Sequence, residues 1–203
     1  IGGAVISADS MQVYRYMDIG SAKIRAEEMD GVPHYLIDVL EPTEEFHVVK
    51  FQELARQAME EIYEKGMIPI VTGVTGFYIQ ALLYDIDFTE SSEDTGYRKE
   101  LADFADRYGE EALHAKLREV DERAAEEIHP NNRKRVIRAL EFYHLTGQKI
   151  SEHNETERQK ESPYQFAYFV LNDERERLYG RIDRRVDRML EEGLVDEVRK
   201  LKD

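Results

Sequence analysis

Two short apolar runs, residues 4–7 (AVIS) and Ile68–Thr72 (IPIVT), flank a helical pattern in which Phe51, Leu54, Ala58 and Ile62 share one face and Gly66 marks the stop. Strand, amphipathic helix and strand in succession is βαβ rhythm, and strands joined by a helical crossover lie parallel. The helix is expected over residues 46–65, a further strand over 34–39 and a short helix over 77–84. An α/β core with a parallel sheet follows, and in such sheets ligands bind at the carboxyl ends of the strands.

After residue 85 the texture becomes charged, Ala-rich and helical, with helices expected over 97–108, 110–119, 122–128 and 132–146, punctuated by Pro130 and Gly147. A polar stretch over 151–163 leads into an apolar run of strand length at 166–171. Residues 174–202 read as a long helix or helix pair, with Leu178, Ile182, Val186, Met189 and Leu190 on the buried stripe and Gly193 as a break. The expected division is an α/β core of residues 1–84 and 164–203 around a helical insert of 85–163.

Composition narrows the class of protein. The chain has 203 residues and no cysteine, so neither a disulfide framework nor a thiolate metal site is available. It carries no apolar run of membrane-spanning length and no signal-peptide pattern, so a cytoplasmic protein without a membrane partner is expected. A net charge of −15 argues against a surface coated in positive potential. Local basic tracks nonetheless exist, at Arg133, Lys134, Arg135 and Arg138 with Glu141 the one acid in that helix, and at Arg181, Arg185 and Arg188. The chain begins at Ile1 just before a strand and stops at Asp203 within a helical pattern, which reads as a piece of a longer chain.

Chemistry concentrates at two strand ends. The first strand runs into Asp9, Ser10 and Gln12, so Asp9 is a candidate site carboxylate, although an aspartate there equally suits a turn or helix cap. Ile68–Thr72 ends in a glycine-framed turn, residues 73–76, before a helix. Backbone N–H groups and the positive end of a helix dipole suit an anion there, and the Thr75 hydroxyl could serve a phosphate oxygen or simply cap the helix. GSAK at residues 20–23 is not a phosphate-binding loop, because it lacks the first glycine and the Lys-Ser/Thr ending. The six histidines show no metal-ligand spacing.

DSMQVY, MDIGSAK, GVPHYLID, GVTGFY, IHPNN and RVIRALE, in this order and spacing, resemble the tRNA dimethylallyltransferase family essentially from Ile6 to Leu201. The resemblance implies a P-loop NTPase-like parallel sheet core with an inserted helical domain. It also implies transfer of the dimethylallyl group of dimethylallyl diphosphate to N6 of adenine 37, beside the tRNA anticodon.

By the same resemblance Asp9 matches the general base. An exocyclic adenine amine is a poor nucleophile and needs a carboxylate to take its proton. Ser10, Met11 and Gln12 match a tRNA-contacting segment, and a Gln amide suits the edge of a flipped base. Thr75 and Arg185 match groups serving the diphosphate, where a planar guanidinium fork fits phosphate oxygens. Lys134, Arg135, Val136, Ile137 and Arg138 match tRNA contacts, and Arg98 is a further candidate of that kind. For each basic helix face a solvated surface is the alternative. Partners implied are the tRNA anticodon stem-loop and dimethylallyl diphosphate, with Mg²⁺ as the ion expected beside a diphosphate and a monomer as the expected state.

The G-x-T-x-x-G-K-T type loop of the family is expected upstream of Ile1, so these 203 residues alone are expected to be inactive. Val74 stands where the family has a glycine, and a β-branched residue there would be strained were φ positive. Two other readings stay open: a catalytically weak RNA- or nucleotide-binding module, and prenyl transfer to a free adenine nucleotide. A mononucleotide needs no basic helical track, which favours tRNA.

Overall fold

The computed structural model describes residues 2–88 and 95–202. Contacts divide the chain into two compact units, residues 1–85 with 162–203, and residues 86–161. Among the described residues no helix is long and apolar enough to cross a membrane.

The first unit is built on a parallel sheet. Strand β1 (Gly3–Ser7) is central, between β2 (His34–Tyr35) and β3 (Ile68–Thr72), with Val5 opposite His34 on one side and Ile70 on the other. Helix α1 (Val48–Glu64) crosses one face and buries Phe51, Ala55, Ala58, Met59 and Ile62 against Ala4 and Ile6 of β1. Each fully buried large apolar side chain in this layer contributes roughly 1.5–3 kcal/mol. The Nδ1 atom of His47 accepts from the N–H of Lys50 at the start of α1, and Gly66, at φ +68°, turns the chain after its end. Helix α2 (Gly76–Leu83) follows β3 and adds Tyr78 and Leu82 to the same core.

Three expectations for this unit are corrected. The strand expected over 34–39 is confined to His34–Tyr35, because Leu36 and Asp38 take left-handed φ of 60° and 56° and end the extended run. Residues 166–171 form no strand: among the described residues β3 pairs only with β1, and Phe169, Val170 and Leu171 are 83%, 74% and 97% exposed. An apolar run becomes a strand only where a neighbour completes its ladder. The helix pair α8 (Arg175–Glu191) and α9 (Leu194–Lys202) forms as expected around Gly193, yet Leu178, Ile182, Val186 and Leu190 are exposed. Amphipathic spacing lines up a stripe without stating what covers it.

The second unit is helical: α3 (Thr95–Tyr108), α4 (Glu110–Val120), α5 (Glu122–Glu127), α6 (Arg133–Thr146) and α7 (Ile150–Arg158). Leu101, Leu113, Leu117, Ala124, Val136 and Leu140 form its core. Asn132 caps α6 through the Arg135 N–H, and Gly147 ends it at φ +69° with its N–H on the Tyr143 carbonyl. Helix α7 falls largely in the polar stretch of residues 151–163, whose pattern announces no helix. Its stabilising feature is buried Asp121, whose carboxylate caps α5 through the Ala124 N–H at 3.0 Å and takes the Ser151 N–H at 2.9 Å and hydroxyl at 2.7 Å. That long-range contact is invisible to a local pattern.

Candidate active site

The carboxyl ends of β1 and β3 are hooked together by backbone. Ala8 donates its N–H to the Thr72 carbonyl at 2.7 Å and accepts from the Thr75 N–H at 3.2 Å. The approach is so close that a Cβ at Gly73 would lie 2.3 Å from the Ala8 oxygen, which only glycine avoids. This crossing sets the turn of residues 73–76 directly beside Asp9 and Ser10. The Ser10 N–H donates to the Thr75 hydroxyl oxygen at 3.3 Å, and Thr75 makes no side-chain cap to α2. The two strand-end motifs therefore form one site, with the Thr75 O–H left to donate elsewhere.

Asp9 is half-buried and its Oδ1 accepts from the N–H groups of Met11 at 2.8 Å and Gln12 at 3.3 Å. The turn-capping role and the site role are thus compatible: one oxygen fixes the turn, and among the described residues no donor reaches Oδ2. A half-buried carboxylate oxygen oriented by its partner oxygen is suited to accept a proton. On α2, Tyr78 stacks on Phe51 with ring centroids 4.9 Å apart, and burial pushes its hydroxyl up.

Ser10 is half-buried and Met11 47% exposed, both on the turn. Gln12 also ties the loop together: its Oε1 accepts from the Ser7 hydroxyl and its Nε2 donates to the Ser21 carbonyl, both at 3.3 Å. Val74 is 86% exposed and is not among the positive-φ residues, so the turn accepts a β-branched side chain without backbone strain.

Lys23 and Glu197 hold this loop. Buried Lys23 donates to Asp18 at 2.6 Å, Asp38 at 2.5 Å and the Tyr14 carbonyl at 2.7 Å, joining the chain after β1 to the chain after β2. Glu197 of α9 accepts the N–H groups of Asp18, Ile19 and Gly20 at 2.9, 2.7 and 2.9 Å. Arg185 lies exposed on α8 and makes no ion pair or contact with Asp9 or Thr75 among the described residues.

The candidate basic residues of the helical unit lie on α3 and α6. Lys134 and Arg135 are exposed on α6 without ion pairs among the described residues. Arg133 instead pairs with Asp106 at 2.7 Å and reaches the Ala102 carbonyl. The hydrogen bond from Arg133 holds the Asp106 carboxyl below the usual carboxylate range. Val136 and Ile137 are 0% and 8% exposed, so their side chains pack into the helical core between the cations of the same segment. Arg98 and Arg138 converge on Glu141. Arg135 and Arg138 also border a surface groove with Glu127, Ile128 and Asn154.

Among the described residues no cluster of three or more histidine, aspartate or glutamate side chains would hold a metal ion. A small, octahedral Mg²⁺ therefore finds no protein cage among the described residues.

The family model for IPP transferase matches residues 12–203. A tRNA dimethylallyltransferase of Lachnoclostridium phytofermentans is 62% identical over 203 residues, which is 100% of this chain and 65% of that protein. The chain thus spans 65% of that relative's length. The crystal structure of a tRNA isopentenylpyrophosphate transferase from Bacillus halodurans superposes with a TM-score of 0.64 at 51% identity, over 98% of this chain and 61% of that one. A eukaryotic dimethylallyltransferase captured acting on tRNA gives a TM-score of 0.82 at 35% identity, over 98% of this chain and 49% of that one.

Proposed function

Because the chain belongs to the IPP transferase family, we propose that the protein transfers a dimethylallyl group from dimethylallyl diphosphate to N6 of the adenine beside the anticodon of tRNA, in the cytoplasm. The observation that supports this reading is the hydrogen bond from the N–H of Ser10, next to Asp9, to the Thr75 hydroxyl at the joined ends of β1 and β3. An amine proton acceptor and a hydroxyl donor for an anionic leaving group stand on neighbouring turns.

In the proposed step the N6 lone pair attacks C1 of the dimethylallyl group as the bond from C1 to the diphosphate oxygen breaks. Asp9 Oδ2 accepts the N6 proton, and the electron pair of the broken bond leaves with diphosphate. The Thr75 hydroxyl, the amino end of α2 and the Arg185 guanidinium stabilise the charge that develops on the leaving oxygens. Lys134, Arg135, Arg98 and Arg138 take RNA phosphates, an electrostatic role that fits exposed cations on an otherwise acidic chain.

The test is incubation of the full-length protein with isotopically labelled dimethylallyl diphosphate and either an anticodon stem-loop or adenosine monophosphate. Label in the stem-loop, lost when its adenine 37 is replaced by guanine, is expected. Label only in the mononucleotide would reassign the acceptor, and label in neither would overturn the activity.

A further inference from the structure

Glu141 is fully buried, yet it sits on α6, the helix that carries Arg133, Lys134, Arg135 and Arg138. Its carboxylate takes two hydrogen bonds from Arg98 of α3, Nε to Oε1 at 3.1 Å and Nη2 to Oε2 at 2.7 Å, and Arg138, one turn earlier on α6, places Nη1 3.5 Å from Oε2. The two arginine side chains are 48% and 36% exposed, while that of Glu141 is 1% exposed. A buried carboxylate without partners would be strongly unfavourable, and two guanidiniums this close would repel without it.

We propose that Glu141 is a positioning residue for RNA binding, holding Arg98 and Arg138 side by side so that two guanidinium forks meet the phosphate backbone together. This rests on the RNA reading given above. The bidentate pairing fixes the Arg98 fork, and the Arg138 contact sets the second guanidinium beside it. The two arginine side chains are partly exposed, so an RNA phosphate can approach both. Holding two long side chains in place before the RNA arrives removes an ordering cost that flexible cations pay on binding.

The proposal differs in sign from simple electrostatics. Removing a carboxylate near a polyanion strengthens binding if charge alone matters. If Glu141 acts through the arginines, removing it weakens binding.

The experiment uses the full-length protein and an anticodon stem-loop, with affinity measured over a range of salt concentrations and the melting temperature recorded for every variant. Glu141→Gln is expected to weaken binding about 5-fold or more, the scale of a coupled contact. The slope of log affinity against log salt is expected to become shallower by roughly 1, as for one lost phosphate contact. In the double variant with Arg98→Ala the two losses should be less than additive. Tighter binding by Glu141→Gln, or a lower melting temperature with wild-type affinity and salt slope, would overturn the proposal. Arg98→Lys keeps a cation at an exposed site but removes the fork, so it is informative even if Glu141→Gln fails to fold. Weaker binding is expected, and wild-type binding would overturn the positioning role. Absence of stem-loop binding by the wild type would instead overturn the RNA reading itself.

Discussion

The backbone N–H of Ser10 donates to the Thr75 hydroxyl oxygen at 3.3 Å, so residues 65 positions apart share one hydrogen bond across two strand ends. Thr75→Val keeps the shape and removes the acceptor. It should lower stability by about 0.5–1.5 kcal/mol, the usual worth of such a bond, and also reduce the transfer rate. Thr75→Ser should keep both. Urea unfolding together with the transfer assay checks this, and a Thr75→Val protein with unchanged transfer would remove Thr75 from the site.

Glu197 links α9 to the loop after β1 through three consecutive amides. Glu197→Ala should speed hydrogen exchange at Asp18, Ile19 and Gly20 and lower stability by about 1 kcal/mol, because water replaces part of what the carboxylate supplied. Exchange measured by NMR would show whether protection is lost at these three amides. Unchanged protection would mean that the loop holds itself.

Burial pushes the Asp121 carboxyl up, but hydrogen bonds from the Ser151 N–H and hydroxyl and the Ala124 N–H outweigh it and hold the group below its usual range. Glu157 behaves alike: burial raises it, while Lys160 and the Asp87 N–H bring it down. A carboxylate depressed in the folded state stabilises above its unfolded value, about 3.9 for Asp, and that stability is lost as pH falls through the folded value. Melting temperatures followed from pH 7 downward should therefore decline below about pH 4, and Asp121→Asn should be less stable at pH 7 with a flatter acid limb. An unaltered acid limb in Asp121→Asn would contradict this.

How far the sequence discloses the molecule depends on the range of the interactions involved. Phe51, Ala58 and Ile62 lie on the buried face that their spacing predicts, because α1 needs only its own periodicity and the apolar sheet below it. Residues 166–171 and the stripe of α8 fail that test, since burial there depends on surfaces that spacing does not describe. Helix α7 is not legible in its own pattern, because Asp121, 30 residues away, supplies the contact at its start. At the site, Asp9 and Thr75 were legible as strand-end residues, whereas the loop ties of Gln12, Lys23 and Glu197 join distant segments. Glu141 had a readable signal: it stands one turn after Ile137 and beside Leu140, on the apolar face of its helix, where a lone acid requires cationic partners.

Asp9→Asn tests the proposed chemistry most directly, because the Asn side-chain oxygen can still accept from Met11 and Gln12 and so preserve the turn. In single-turnover transfer to the anticodon stem-loop by the full-length protein, the variant should lose roughly 10²–10⁴-fold in rate, the scale of general-base catalysis, with stem-loop affinity unchanged. Transfer by Asp9→Asn at the wild-type rate would contradict the assignment of Asp9 as the base.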